Sequence, residues 1–373
     1  MSRLNPEEYK WIDNIWKKID NKMEITAERA KNKIPYFAKD GVYDDRSDDI
    51  CWWTNGFWAG IMWILYCKTR KETYKHIAEI SENKLDKAFE DYYGLHHDVG
   101  FMWMLSAGGN YKITGNEKSK KRCMHAANIL AGRYNPSGEF IQAWNGNEHI
   151  GISIIDSMMN LSLLYWMSEE IGDPRYKNIA KKHADSVMKN HIRSDYSVNH
   201  IVKYDAETGD VIDDFGGQGY GKGSSWSRGQ AWALYGFVVS YIHTKEERYL
   251  NTAKKCANYF IACVSDDWLP KADFRAPKEP VIYDSTAGAC AACGLIELAG
   301  ILDENEGRMY MDAAMNMLKT MEKKFCEWDP SYDSILQYGS ESYAGCRHIP
   351  LIYGDYFFIE AISKLIDNKI FLW

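Results

Sequence analysis

The sequence predicts an all-helical protein whose helices come in pairs and close into one barrel, and three observations lead there. A two-part phrase recurs six times, each copy opening on a small, polar or tryptophan-bearing cluster and running into an apolar helix. The copies lie roughly 45 to 70 residues apart, a spacing that fits a helix pair and not a strand. After the first five apolar helices comes a short charged turn and then a second, Lys-rich helix. Short connections make antiparallel neighbours, so each copy reads as a helical hairpin.

In chain order, the first opening is Trp53-Thr54-Asn55-Gly56-Phe57-Trp58, and its hairpin turns at Thr69-Arg70-Lys71-Glu72. The second opens at His97-Asp98-Val99-Gly100-Phe101 and turns at Thr114-Gly115-Asn116-Glu117. The third, Ile155-Asp156-Ser157-Met158-Met159-Asn160, turns at Gly172-Asp173-Pro174-Arg175. The fourth, Trp226-Ser227-Arg228-Gly229-Gln230-Ala231-Trp232, turns at Thr244-Lys245-Glu246-Glu247, and the fifth, Tyr283-Asp284-Ser285-Thr286, at Asp303-Glu304-Asn305-Glu306. The sixth opening is Tyr353-Gly354-Asp355-Tyr356. Each turn carries residues that stop one helix or cap the next. Outer helices such as 176–184 alternate apolar and charged faces and belong at the surface, whereas inner helices such as 287–302 are apolar nearly all round and belong inside. With the inner helices parallel, all six polar openings meet at one end of one cavity.

A chain of 373 residues often divides in two, but no Pro/Gly/Ser-rich linker or charge block interrupts the repeat, so the expectation is one domain over residues 1–373. A net charge of −7 without a basic stripe argues against nucleic acid, and no apolar run approaches the ~18 residues of a membrane span. Nine scattered cysteines and an N-terminus without an apolar core read as reduced thiols in a cytoplasmic protein. Strand signals are few. The stretch 197–205 alternates and leads into Glu207-Thr208-Gly209-Asp210, the pattern of a short hairpin in a long loop. The Gly-rich segment 216–225 lacks the Gly-Lys-Ser/Thr ending of a phosphate loop.

Tryptophans concentrate at the openings, with Trp53, Trp58, Trp144, Trp226 and Trp232 among them. Sugar rings stack their C–H faces on indole while their hydroxyls seek polar partners, so tryptophan mixed with Asp, Asn, Gln, Arg and His suits a carbohydrate pocket. Asp98 and Asp156 stand at the mouths of adjacent inner helices. Capping those helices is the ordinary use of such residues, but two carboxylates aimed at one cavity can repel until one carries a proton near neutrality, which is acid–base chemistry. No His/Cys group has metal-ligand spacing, and Cys290 and Cys293 on an apolar helix read as core packing. Neither a metal nor another cofactor is expected.

Together these openings resemble glycoside hydrolase family 88, the unsaturated glucuronyl hydrolases. The matching strings also include Ile141-Gln142-Ala143-Trp144 and Gly223-Ser224-Ser225-Trp226, and they run in family order from about residue 50 to the C-terminus. The resemblance implies an (α/α)6 barrel of six helical hairpins that releases 4,5-unsaturated glucuronic acid from the non-reducing end of lyase-generated, glycosaminoglycan-type oligosaccharides. It implies hydration of the C4=C5 double bond: proton to C4, water to C5, then opening of the hemiketal. By the same resemblance Asp156 is the proton donor and water activator and Asp98 its helper. Trp53, His97, Phe101, Trp144, His200, Gln218, Trp226, Arg228 and Trp232 contact substrate, with Arg228 and His200 suited to the uronate carboxylate. Asn55 departs from the family's usual Asp, and 337–348 matches no pattern. The alternatives are the unsaturated rhamnogalacturonyl hydrolases of family 105, a sugar 2-epimerase, or an inactive glycan-binding barrel.

Overall fold

The computed structural model describes residues 4–366 and 370–373. Its inner helices are α2 (Phe57–Thr69), α8 (Ser157–Ile171), α10 (Ser227–Thr244), α12 (Ser285–Ile301) and α14 (Ile352–Leu365), together with a second stave built from α5 (Val99–Trp103) and α6 (Gly109–Thr114). The outer helices are α3 (Glu72–Lys84), α7 (Glu117–Gly132), α9 (Arg175–Asn190), α11 (Glu247–Val264) and α13 (Glu304–Phe325), and a short helix α4 (Asp86–Asp91) follows α3. Each stave packs on the next and α14 packs on α2, so the ring closes as an (α/α)6 barrel.

The sixth hairpin is completed from the other end of the chain. Helix α1 (Pro6–Ala30), absent from the sequence pattern, packs against α14 as its outer partner. An Asn5 capping box starts it, with Asn5 Oδ1 accepting from the Glu8 N–H and Glu8 returning a bond to the Asn5 N–H. Ion pairs Lys18–Glu322, Lys319–Glu8 and Arg29–Asp333 tie it to residues more than 300 positions away.

The second stave is not a continuous α-helix. Between α5 and α6 one wide π turn spans Met104–Gly108. Ser106 Oγ donates to the Met102 carbonyl at 2.6 Å, and the Ser106 carbonyl receives Trp63 Nε1 at 3.1 Å, so the turn exchanges regular ladder bonds for a tie to the neighbouring stave.

Short strands lie over the barrel's mouth. β1 (Ala38–Lys39) pairs with β2 (Val42–Tyr43), and β3 (Tyr134–Asn135) with β4 (Phe140–Ile141). The expected hairpin is present as β6 (Ile201–Tyr204) and β7 (Val211–Phe215). The sequence pattern missed a third strand, β5 (Ile152–Ile154), which pairs antiparallel with β6 and leads directly into Asp156. Its three residues, Ile152-Ser153-Ile154, are all buried and too few for their alternation to mark a strand. All nine cysteines are free, with Cys290 and Cys293 fully buried on α12. Among the described residues no helix is long and apolar enough to cross a membrane.

Candidate active site

Asp98 and Asp156 occupy the N-cap positions of α5 and α8, yet neither side chain accepts a capping hydrogen bond. Asp284 and Asp303, at the starts of α12 and α13, do cap. The ordinary use of an aspartate at a helix mouth is thus fulfilled elsewhere and declined by these two.

Asn160, one helical turn into α8, positions Asp98. Its Nδ2 donates to Asp98 Oδ1 at 3.0 Å while its Oδ1 accepts the Phe101 N–H at 2.8 Å. Gly100 permits this approach, because a Cβ there would stand 2.6 Å from Asn160 Cα and Oδ1. Asp98 Oδ2 faces two imidazoles, at 3.4 Å from His96 Nδ1 and 3.3 Å from His97 Nε2.

Hydrogen bonding assigns the tautomer of His97. Ser157 Oγ donates its single proton to the Ile154 carbonyl at 2.6 Å, so at 3.2 Å it can only accept from His97 Nδ1–H. His97 Nε2 is then a bare lone pair aimed at Asp98 Oδ2. Burial, with His96 next in effect, depresses the His97 pKa far below its usual value, so the ring does not supply a proton. Burial and then the Asp156 charge hold the Asp98 carboxyl well above the usual carboxylate range. Asp98 and Asp156 thus share one mouth, with Asp98 the carboxyl that burial and its neighbour's charge favour in the protonated form.

His200 faces Asp156 with the opposite polarity. Its Nδ1 accepts the Gln218 N–H at 3.0 Å, which leaves Nε2–H directed at Asp156 Oδ1, 3.4 Å away. Gly217 carries φ +55 and a Cβ there would strike His200 Nδ1 at 2.0 Å, so the Gly-rich segment serves to lay its backbone over this ring. Asp156 Oδ1, His97 Nε2 and His200 Nε2 are buried without a well-formed hydrogen bond. Such groups at one place mark a site kept for a ligand.

The predicted aromatic residues form one connected wall. His200 packs on Trp226 (4.4 Å), Arg228 lies over Trp226 (4.6 Å) and Tyr353 (5.2 Å), and Tyr353 packs on Trp53 (5.0 Å). Trp53 meets Phe101 (5.4 Å), which meets Trp232 (5.3 Å). Trp53 is partly exposed, whereas Phe101 and Trp232 are fully buried beneath it. Trp144 stands apart on the loop between β4 and β5, with His149 against its ring; that loop reaches the site where the Ala143 carbonyl accepts the His97 N–H.

Arg228 has partners the sequence did not reveal. It is buried, with Nη1 donating to Asp284 at 2.5 Å, to Thr286 Oγ1 at 3.3 Å and to the Ser340 carbonyl at 2.6 Å, and Nη2 donating to the Glu341 carbonyl at 2.6 Å. Asp284 is thus one carboxylate partner of this guanidinium. Gln218 similarly gives Nε2 to the Glu341 carbonyl. Segment 337–348, which matched no pattern, is thus the strap that fastens the fourth and fifth openings together. Arg133 was also missed: its guanidinium braces the carbonyls of Gln142 and Ala143 and Asn145 Oδ1. Burial lowers its pKa to about 10, and the Asp98 charge opposes that shift. Ser157, Asn160 and Tyr353 lay inside recognised openings, but their tasks depend on partners on other hairpins. His96, His97 and Asp98, consecutive in the chain, bring three ligand atoms within 4.8 Å of one another, although their spacing is not a recognised metal pattern.

A carboxylate pair beneath an aromatic wall, at the mouth of an (α/α)6 barrel, defines the class: a glycoside hydrolase. The chain is 34% identical to the unsaturated glucuronyl hydrolase of Bacillus sp. (strain GL1) over 94% of its own length and 97% of that protein's. The crystal structure of unsaturated glucuronyl hydrolase from Bacillus sp. GL1 superposes with a TM-score of 0.88, covering 94% of this chain and 96% of that one. The unsaturated chondroitin disaccharide hydrolase of Streptococcus pneumoniae is 31% identical over 95% of this chain and 92% of its own. A Streptococcus agalactiae unsaturated glucuronyl hydrolase structure, 29% identical, gives a TM-score of 0.90 over 99% of this chain and 94% of that one, and a variant of it has been solved with dGlcA-GalNAc6S. No protein-family model matches the chain. The chain belongs to the unsaturated glucuronyl hydrolases, and the rhamnogalacturonyl alternative has no counterpart among these relatives.

Proposed function

We propose that residues 1–373 form one catalytic barrel, which hydrates the C4=C5 bond of a 4,5-unsaturated glucuronyl residue at the non-reducing end of glycosaminoglycan-type disaccharides. One observation carries the reading: two carboxylates that cap no helix share a mouth, one facing a bare imidazole nitrogen and the other an imidazole N–H. The pair acts as a unit with one proton. Asp156, with Asp98 as its helper, delivers that proton to C4; water then adds its oxygen at C5 and returns a proton to the pair. The resulting hemiketal opens and releases the leaving sugar. His200 presents N–H to the anionic side of the substrate, Trp53, Trp144 and Trp226 take the sugar faces, and Gln218 and His97 shape the polar edge. Phe101 and Trp232 form the apolar floor, and Arg228 fixes the geometry of Trp226 and Tyr353. The relatives' names and a bound dGlcA-GalNAc6S share an unsaturated glucuronyl unit, on chondroitin-type sugars in two of them, which supports an unsaturated uronyl oligosaccharide as substrate. Nine free thiols favour a cytoplasmic setting.

A panel of lyase-generated disaccharides from hyaluronan, chondroitin sulfates, heparin and pectin tests this. Loss of the ultraviolet absorbance of the conjugated uronate on a glycosaminoglycan product is the expected outcome. Release of the leaving sugar with the chromophore intact, or turnover of the pectin product alone, would refute it.

A further inference from the structure

His96, His97 and Asp98 point three atoms at a common space, and none of the three nitrogen or oxygen atoms has a firm partner there. His97 Nε2 is a lone pair by its bond to Ser157, and the fully buried atom has no hydrogen bond of its own. His96 Nδ1 accepts only a long 3.4 Å contact from the Asp98 N–H, so it too presents a lone pair. Asp98 Oδ2 lies 3.4 and 3.3 Å from these nitrogens. A single proton on Asp98 can satisfy one of the two imidazoles, whereas a cation between them would satisfy all three atoms.

The dimensions select the cation. Tetrahedral bonds of about 2.0–2.1 Å place neighbouring ligand atoms about 3.3–3.4 Å apart; two of the three edges, from Asp98 Oδ2 to each imidazole nitrogen, have that length, and the third lies within 4.8 Å, so the His96 ring must turn in to complete the set. Two neutral imidazoles and one carboxylate make a nitrogen-rich donor set that suits zinc and disfavours magnesium or calcium. We infer that His96, His97 and Asp98 form a binding site for a divalent transition-metal ion of the zinc class, and that the ion, on binding, occupies Asp98 Oδ2 and stops turnover. Binding rests only on this geometry; the inhibition also rests on the function proposed above.

Chelator-stripped enzyme titrated calorimetrically with zinc chloride, without substrate, tests the site directly. One ion per chain is expected, with no matching signal from magnesium chloride. Loss even of an outer partner of a metal ligand costs about 10- to 100-fold in affinity, so His96→Ala, and separately Asp98→Asn, should weaken binding at least about tenfold. His97→Gln serves in place of His96→Ala if that variant does not fold. Absence of saturable binding, or binding unchanged by these substitutions, overturns the site. In a second measurement zinc should abolish turnover of an unsaturated disaccharide and a chelator should restore it. Stoichiometric zinc at the site with undiminished turnover overturns the inhibitory role, and zinc binding by a protein that processes no such disaccharide overturns the proposed function but leaves the site standing.

Discussion

Both ends of the barrel bury charge, and they do so in opposite ways. At the far end Glu360 accepts from Tyr235 Oη at 2.6 Å and Trp373 Nε1 at 3.1 Å and pairs with Lys364 at 3.1 Å; Lys364 also pairs with Glu297 at 2.5 Å. At the mouth, Asp156 Oδ1, His97 Nε2 and His200 Nε2 are left without a formed hydrogen bond. The same polar chemistry thus serves structure where a buried carboxylate gathers several donors and function where donors and acceptors are left unmatched. Substitutions at the two ends should separate into kinetic and thermal effects.

The largest effect is expected at the mouth. Asp156→Asn keeps the shape but cannot pass a proton, so turnover followed by ultraviolet absorbance should fall about 10²- to 10⁴-fold with the melting temperature nearly unchanged. Near-normal turnover would remove Asp156 from the chemistry. Asp98→Asn should also cripple turnover. Because burial raises the Asp98 pKa, its proton is present at low pH and lost as pH rises through the raised value; wild-type activity should decline in that direction. A basic limb that persists unshifted in Asp98→Asn would assign the proton to another group.

Arg228→Lys sharpens the comparison, since Arg228 lies at the mouth but is bonded like a residue of the far end. Breaking a buried pair costs about 3–5 kcal/mol, so the variant should lose thermal stability before its KM moves. A raised KM with an unchanged melting temperature would restore the substrate carboxylate as its partner. The smallest effect is expected for Glu360→Gln, which should cost about 1–3 kcal/mol in denaturant unfolding and leave kcat and KM alone.

The inner staves were legible because burial on every side leaves a continuous apolar run after a polar opening, a pattern local to each hairpin. Helix α1 was not, since nothing in its own residues states that it pairs with α14; that information resides in contacts such as Arg29–Asp333. The site divides along the same line. Asp98, Asp156, His97, His200 and the tryptophans stood out by type and position, while the direction of the protons did not. It depends on Ser157 meeting His97 and on the Gln218 N–H meeting His200. The partners of Arg228 were hidden for a related reason: a guanidinium beside a tryptophan does not announce that a carboxylate 56 residues downstream, Asp284, meets it.

The openings that build the mouth run from Trp53 to Tyr353, and the ring that aligns them closes only when α14 docks on α2, the last stave on the first. Partial refolding can restore helix content, because each hairpin holds local contacts, but it cannot assemble a mouth from fewer than all its segments. During dilution from denaturant, recovery of activity should therefore trail recovery of far-ultraviolet circular dichroism, making catalysis the sharper clock for completion of the fold.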